Sequence, residues 1–238
     1  MSKRTPFPCL LAITLAVCSC KKSDDPKGGD TPPKTPDKPA GGGGPSGLGS
    51  TPSTDTLEAW TNRYRAIEDE PQRFEFIAEM VATDDDDELP ARISLALDDA
   101  SPRIRREAMG AVSAMEPQQS YGLLMKAIGD SDDFVRDYAL GDIRRLPDEM
   151  KLDAYRTGLY SEHGDVKDKS IRSLANHRTP KAFGYLLEGL KDESPEVREA
   201  VNLQTNALVE QRFESYPEAE AWWSANKNRY DDRLLSLD

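Results

Sequence analysis

The chain has 238 residues, among them 31 Lys or Arg, 43 Asp or Glu and three Cys, and carries a net charge of −12. Residues 1–54 hold seven of the basic and four of the acidic residues, so residues 55–238 carry 24 basic and 39 acidic side chains. A surface this acidic repels nucleic acid and anionic lipid headgroups, and we expect no nucleic-acid partner. All three cysteines fall within the first 20 residues, which leaves no thiol for a disulfide or a thiolate metal site in the remainder.

The first twenty residues have the pattern of a secretory signal. Lys3 and Arg4 form a short positive segment, and positions 7–17 form an apolar run without a charge. A helix needs about 20 apolar residues to cross a bilayer. The run is shorter than that, and it therefore predicts a signal peptide at residues 1–19.

The end of this segment, "LAVCSC" at residues 15–20, resembles the lipobox of bacterial lipoproteins, in which cleavage occurs just before a Cys. Cys20 fits best, because Ser19 precedes it and Val17 stands three positions before it. Cys18 is the alternative, with the bulky Val17 where a small residue is usual; an ordinary signal peptide with incidental cysteines is another. The resemblance implies a lipid anchor on Cys20 and a membrane-anchored lipoprotein of the bacterial cell envelope. It would lie in the outer membrane, either periplasmic or surface-exposed, and "KKSDD" at 21–25 is similar to lysine-then-acid surface signals.

Residues 20–54 form a Pro- and Gly-rich segment. Pro and Gly occupy 15 of the 34 positions from 21 to 54, and Leu48 is the only large aliphatic residue there. Such a composition cannot bury enough apolar surface to offset the entropy of ordering the chain. We expect a disordered tether with a reach of about 30 Å.

From residue 88 onward the chain repeats itself at a spacing of 31 residues. The columns that share a residue type are Ile93, Leu124, Tyr155, Leu186; Leu97, Ile128, Leu159, Leu190; Ile104, Val135, Val166, Val197; Arg105, Arg136, Lys167, Arg198; Ala108, Ala139, Ser170; and Val112, Ile143, Leu174. Apolar positions four apart indicate one face of a helix. Each unit is thus predicted to be two helices joined by a polar turn, and no stretch shows the alternation of a strand.

The turns carry the motif L-x-D-x-S-P-x-V-R-x-x-A, which resembles HEAT repeats, particularly the short bacterial PBS-lyase-type HEAT-like repeats. Residues 99–105 and 192–198 match it most fully, and residues 130–136 replace Ser-Pro with Asp-Asp. Residues 161–167 depart most, with Lys167 in place of Arg.

The resemblance implies an all-α fold, a right-handed α-solenoid of period 31 whose second helices line a concave surface. In such proteins the turn Asp and the following basic residue form a ladder that joins neighbouring units. A structural role is therefore expected for Asp99, Arg105, Asp130, Arg136, Lys167, Asp192 and Arg198. From the residues themselves, Ser101, Asp132 and Ser194 are expected to cap the helices that follow them.

Both ends of the 55–238 domain are imperfect copies, as expected of terminal repeats that face water. Residues 55–87 form a degenerate N-terminal cap, in which Arg73 and Phe74 stand where 88–210 has Val-Arg. A helix from Pro195 is expected to run on through Phe213. Residues 211–238 are predicted to form a C-terminal capping helix and tail, and Trp222 and Trp223 either cover the last repeat or bind a partner.

Reactive groups are sparse in residues 55–238. His163 and His177 are the only histidines, and both are expected to be solvated; the acidic run at 83–90 lacks the spacing of an EF-hand and favours a helix start. We therefore predict no catalytic, cofactor-binding or metal-binding residues and no cofactor.

The sequence predicts a non-enzymatic, monomeric, lipid-anchored scaffold or adaptor that binds a protein or peptide partner. A groove-based enzyme or cofactor binder is the alternative. It requires polar residues of the second helices, such as Arg106, Asp137, Asp142 and Arg172, to surround a deep pocket. A passive envelope spacer is a third possibility.

Overall fold

The computed structural model describes residues 56–83 and 87–237, and these residues are all-helical. No strand forms within them, and their one extended contact is an isolated bridge between Tyr230 and Ser236. The predicted all-α fold is thus confirmed for the described ranges. The predicted signal peptide, Cys18, Cys20, the tether and residues 84–86 of the acidic run lie outside them.

Eleven α-helices follow one another through the described residues. They are α1 Leu57–Ala66, α2 Glu70–Thr83, α3 Leu89–Ala96, α4 Pro102–Val112, α5 Pro117–Ala127, α6 Asp133–Ile143, α7 Asp148–Gly158, α8 Gly164–His177, α9 Pro180–Leu187, α10 Pro195–Val209 and α11 Tyr216–Asn226. Short 3-10 helices at Glu188–Lys191 and Lys227–Arg229 follow α9 and α11.

Helix starts follow from local chemistry. Proline occupies the first position of α4 and α10, where its missing N–H has no partner to lose. Asp132 and Ser194 accept backbone N–H groups at the starts of α6 and α10, as expected. The same expectation is wrong for Ser101, because its hydroxyl donates instead to Glu70 of α2, 2.8 Å away.

Helix α10 ends four residues before the predicted Phe213. Glu210 adopts a left-handed conformation with φ of 57°, which terminates the helix. The buried amide of Asn202 then accepts the Phe213 N–H and donates to the Phe213 carbonyl, at 2.8 and 2.9 Å. These two bonds fold residues 210–213 back onto α10, a long-range effect that the helical pattern does not reveal.

The even-numbered helices pack each against the next, from α2 through α10. Among the odd-numbered helices, α1 packs on α3, α3 on α5, α7 on α9 and α9 on α11. The apolar columns expected from the sequence supply the core: Ile93, Ile104, Val135 and Val166 are fully buried. Packing of these faces buries apolar surface, the dominant favourable term in folding.

Helices α7 and α8 approach closely at Gly158. A Cβ at this position would lie 2.2 Å from Oγ of Ser170 and 3.3 Å from Val166. Ser170 stands where the two preceding units have Ala108 and Ala139, and it is fully buried. Its hydroxyl has no hydrogen-bond partner among the described residues. The close approach of α7 and α8 therefore requires a residue without a side chain at position 158.

Candidate functional site

The turn before α4 is held by Arg105, whose guanidinium makes two sets of contacts. Nη1 donates to the backbone carbonyls of Asp99 and Ala100, at 2.9 and 3.2 Å, within its own turn. Nε and Nη2 donate to the carboxylate of Asp130 in the following turn, at 2.8 and 2.7 Å. One buried side chain therefore joins two successive turns, and the fork geometry of Arg suits both sets of acceptors.

Arg136 repeats this arrangement with one change. Nη1 donates to the carbonyls of Asp130 and Ser131, while Nε donates to Asp165 at 2.9 Å. In the turn before α8, the position equivalent to Asp130 is occupied by the uncharged Ser161, whose hydroxyl accepts the N–H of His163. Asp165, in the first turn of α8, supplies the carboxylate that residue 161 lacks.

The last two basic positions complete the series. Lys167 donates to the carboxylate of Asp192. Arg198 donates to the carbonyls of Asp192 and Glu193, both at 2.8 Å, and forms no ion pair within the part of the chain that the structure describes. The series of inter-turn ion pairs thus stops at Arg198, after which α10 turns back toward Phe213.

Arg73 belongs to the same series, which sequence reasoning missed. Its Nη1 donates to the carbonyls of Ile67 and Glu68, and its Nε donates to Asp99 at 3.0 Å. It lies 32 residues before Arg105, so the 31-residue spacing pointed to Phe74 instead. The signal that could have found Arg73 is its position six residues after Ile67, the same separation as between Asp99 and Arg105. This separation holds even though the distance between the two arginines is not 31 residues.

Hydrogen bonds to the turn carboxylates affect their ionisation. Burial alone would raise the pKa of Asp99, but donors on Tyr64, Ser101 and Arg73 outweigh that effect and hold the pKa below its ordinary value. The pKa of Asp192 is also lowered, because bonds from Lys167 and the Ser194 N–H exceed the effect of burial. Both groups are therefore anionic near neutral pH, and they act as acceptors for the neighbouring turns.

The polar residues expected to line any catalytic groove have separate partners. Arg106 binds Asp132, Arg172 binds Asp168, Asp137 lies 3.8 Å from Lys169, and Asp142 accepts from Ser113 at 2.6 Å. Asp137 and Asp142 border one open depression of about 560 Å³, which Arg106 and Arg172 do not line. The four side chains do not converge on a common point.

The two histidines are less solvated than expected. Their side chains are 21% exposed for His163 and 19% for His177. His163 Nε2 lies 3.4 Å from the carbonyl of Gly129, and His177 Nδ1 lies 3.3 Å from the hydroxyl of Thr179. Across residues 56–83 and 87–237 no three His, Cys, Asp or Glu side chains come close enough to hold a metal ion.

The C-terminal aromatic residues pack on the preceding helices. Trp223 lies against Phe183 of α9, with ring centroids 4.6 Å apart, and Trp222 lies 5.5 Å from Phe213. Tyr230 contacts both indoles. Trp222, Trp223 and Tyr230 are partly buried, and α11 packs on α9.

A second feature that sequence reasoning missed lies on the solvent-exposed side of α6. Phe134 and Tyr138 stand one helical turn apart and are 61% and 53% exposed. The guanidinium of Arg106 stacks on Phe134, 4.3 Å from the ring centroid, while Asp132 fixes it through two hydrogen bonds. We call the surface formed by Asp133, Phe134, Asp137 and Tyr138 the α6 face.

Two shallow depressions border the α6 face. One, of about 540 Å³, is lined by Asp133, Phe134, Arg136, Asp137 and Asp165. The other is the 560 Å³ depression beside Tyr138. Asp137 lines both depressions, so its carboxylate is accessible from either side of the face. Such a surface suits contact with an extended or helical chain better than enclosure of a small molecule.

In comparisons with known proteins, no model of a protein family and no curated protein matches the chain. Within the described residues, no helix combines the length and the apolar character needed to cross a membrane.

Proposed function

We propose that this protein is a lipid-anchored adaptor of the bacterial cell envelope, built as a HEAT-like α-solenoid that binds a protein or peptide partner. The observation that carries the proposal is the series of basic side chains that bridge consecutive turns. Arg105 and Arg136 each bind their own turn through carbonyls and a later carboxylate through an ion pair.

Several features support a solenoid with a 31-residue period, which we propose to be right-handed by resemblance to HEAT-like repeats. Arg105, Arg136, Lys167 and Arg198 are spaced by 31 residues and occupy the same place in four successive turns. The even-numbered helices contact one another in chain order, as stacked helix pairs do. The basic residues would hold adjacent pairs in register, which makes the motif structural and leaves binding to exposed residues.

Partner binding fits the surface chemistry better than catalysis. Catalysis requires a nucleophile, a base and a stabilising group that converge on one point. Arg106, Asp137, Asp142 and Arg172 instead pair with separate neighbours along the helices. A broad face with exposed aromatic rings favours an interface, because aromatic side chains dominate binding energy in such contacts.

The proposed anchor rests on the sequence "LAVCSC" and the Pro- and Gly-rich segment after it. Lipid on Cys20 would place the helical domain at the envelope membrane, and the tether would allow it to reach a partner about 30 Å away. We propose that the domain acts as a monomer.

Lipidation is tested by expressing the full chain in a bacterial host with a radiolabelled fatty acid. We expect the wild-type chain to be labelled, globomycin to block processing, and Cys20→Ala to accumulate as an unlabelled precursor. Cys18→Ala is the matched control and should mature with label. Label on mature Cys20→Ala would transfer the anchor to Cys18, and no label on any variant would refute the anchor.

Adaptor function is tested by crosslinking in intact cells, affinity capture of the full chain and mass spectrometry. We expect a small set of proteins recovered with the lipidated chain and not with an unrelated lipoprotein of similar charge. Identical recovery with both baits would contradict the adaptor role and favour a passive spacer.

A further inference from the structure

The two rings of the α6 face lie outside the buried core, and Phe134 contacts the guanidinium of Arg106. Of the large apolar side chains that are more than half exposed in the described residues, only Phe134 and Tyr138 lie one turn apart on one helix. Side chains on the opposite side of α6, such as Val135 and Ala139, are fully buried and supply its share of the core. The fold therefore gains little from placing large rings at positions 134 and 138.

Neighbouring units carry different residues at these positions. The residues 31 positions before and after Phe134 are Arg103 and Asp165, and those flanking Tyr138 are Glu107 and Lys169. All four are charged, as is usual for exposed helix positions. The α6 face is thus the one repeat position in residues 102–177 where both solvent-facing sites carry aromatic rings, and core packing does not account for that.

The depression beside Tyr138 is mixed in charge, with Asp137 and Asp142 against Arg144 and Arg145. The charges in the depression beside Phe134 indicate which partner fits there. Asp133, Asp137 and Asp165 line the depression beside Phe134, against the single guanidinium of Arg136. Arg136 is already bound to Asp165 and to two carbonyls. Asp133 makes no ion pair with any other residue that the structure describes, so its carboxylate remains available.

Asp137 is also accessible to a partner. Lys169 lies 3.8 Å away, but the two side chains are 40% and 80% exposed. A solvent-exposed pair of this kind contributes little, so a cation of a bound partner can replace Lys169 at small cost. Arg106, stacked on Phe134, does not line this depression, which leaves space beside the ring for another side chain.

We propose that the α6 face binds a basic peptide segment, whose apolar side chain packs on Phe134 and Tyr138 while a Lys or Arg side chain pairs with Asp133 and Asp137. This inference rests on the proposed adaptor function and names the chemistry of its partner. An acidic segment would meet the carboxylates that line the depression. The negative charge of residues 55–238 steers a basic segment toward the domain.

The test uses the full chain, extracted in a nonionic detergent and captured through a C-terminal tag, as bait for a random 12-residue phage-display library. We expect the enriched peptides to combine a surplus of Lys and Arg with at least one aliphatic or aromatic residue. The affinity of the best enriched peptide is then measured by fluorescence anisotropy for each variant.

Variants separate the aromatic and acidic contributions. Phe134→Ala/Tyr138→Ala should weaken binding at least about tenfold, since aromatic anchors carry much of an interface. Asp133→Asn/Asp137→Asn should weaken it several-fold and reduce its salt dependence. The matched controls are Leu203→Ala, which removes a 55% exposed apolar side chain from α10, and Glu149→Gln, which neutralises a 91% exposed carboxylate on α7. Both should bind as the wild type does.

Three results would overturn the inference: enrichment of acidic peptides, unchanged affinity in Phe134→Ala/Tyr138→Ala, or no enrichment above empty matrix. Far-UV circular dichroism and urea unfolding of each variant identify any loss that comes from misfolding. The adaptor proposal has its own test, since it fails if the wild-type chain has no specific crosslinked partners. If those partners persist with Phe134→Ala/Tyr138→Ala, the adaptor stands and the α6 face is not its binding site.

Discussion

A single guanidinium in each of several turns binds both its own turn and a carboxylate of a later one. Arg105 is 8% exposed and satisfies two backbone carbonyls together with the Asp130 carboxylate. Its removal would leave those three acceptors without their donor in a largely buried place. A lost donor in such a place costs more than a surface ion pair contributes.

We therefore expect Arg105→Ala to lower the free energy of unfolding by about 3 kcal/mol. Arg172→Ala removes an exposed guanidinium whose pairing with Asp168 lies on the surface of α8, and it should lower the same quantity by less than about 1 kcal/mol. Urea unfolding followed by far-UV circular dichroism measures both. If Arg105→Ala lowered the free energy of unfolding by less than about 1 kcal/mol, as expected for Arg172→Ala, the Arg105 contacts would not stabilise the fold.

The close contact of Gly158 with Ser170 gives a second residue-scale prediction. Ser170→Ala removes a buried hydroxyl without a partner and should raise the unfolding free energy by about 1 kcal/mol. Gly158→Ala places a methyl group against that hydroxyl and should be destabilising.

The double variant Gly158→Ala/Ser170→Ala should be more stable than the sum of the single effects predicts. The 2.2 Å clash with Oγ is then gone, and contacts of 3.3 Å with Ser170 Cβ and Val166 are left. Thermal or urea unfolding of all four proteins completes the double-mutant cycle. Strict additivity would contradict the contact.

At the scale of elements, the turns before α4 and α10 carry carboxylates, Asp99 and Asp192, that are anionic when folded. The pKa of Asp99 and that of Asp192 lie below their ordinary values, because hydrogen bonds from neighbouring donors exceed the effect of burial. A carboxyl with a lowered pKa in the folded state stabilises that state above its unfolded pKa, near 4. The contribution is lost as the pH falls through the folded pKa.

Stability should therefore fall as the pH is lowered from about 5 toward 3, and Asp99→Asn should weaken this dependence. The unfolding free energies of wild type and Asp99→Asn should differ most near pH 7 and converge in acid. Glu149→Gln, which alters an exposed carboxylate on α7, should run parallel to the wild type. Urea unfolding at a series of pH values gives the curves, and a constant gap for Asp99→Asn would refute the account.

Much of the element pattern was predictable from spacing alone. Apolar residues at intervals of four mark helix faces, so Ile104, Val135 and Val166 could be placed in the core without coordinates. The ladder was only partly predictable, because the Arg105 guanidinium reaches the Asp130 carboxylate 25 residues later. Asp165 and Arg73 substitute for residues that a fixed spacing pointed to, since side-chain reach tolerates a shift in sequence position.

The α6 face was missed for a different reason. Phe134 and Tyr138 are not part of the shared repeat pattern, and they stand out in the sequence only as aromatic residues at positions where neighbouring units have charged ones. Their exposure was not predictable, because a Phe in an amphipathic helix is more often buried. Likewise, the fold-back of Phe213 onto Asn202 depends on one left-handed residue, Glu210, which the helical pattern does not reveal.

At the scale of the whole molecule, the proposed division of labour is between a buried scaffold and an exposed face. The scaffold would consist of the basic residues that join successive turns. The α6 face would give the helical domain its binding specificity. Substitutions in the first set should change stability, and substitutions in the second should change binding without changing stability.

The most direct test of this division is site-specific photocrosslinking of the full chain in living cells. A photoreactive amino acid replaces Tyr138 in one variant and the equally exposed Leu203 in the other. We predict one dominant protein adduct at position 138, crosslinked through a Lys- or Arg-rich segment, and none at position 203. Equal labelling at both positions, or an adduct through an acidic segment, would contradict the account.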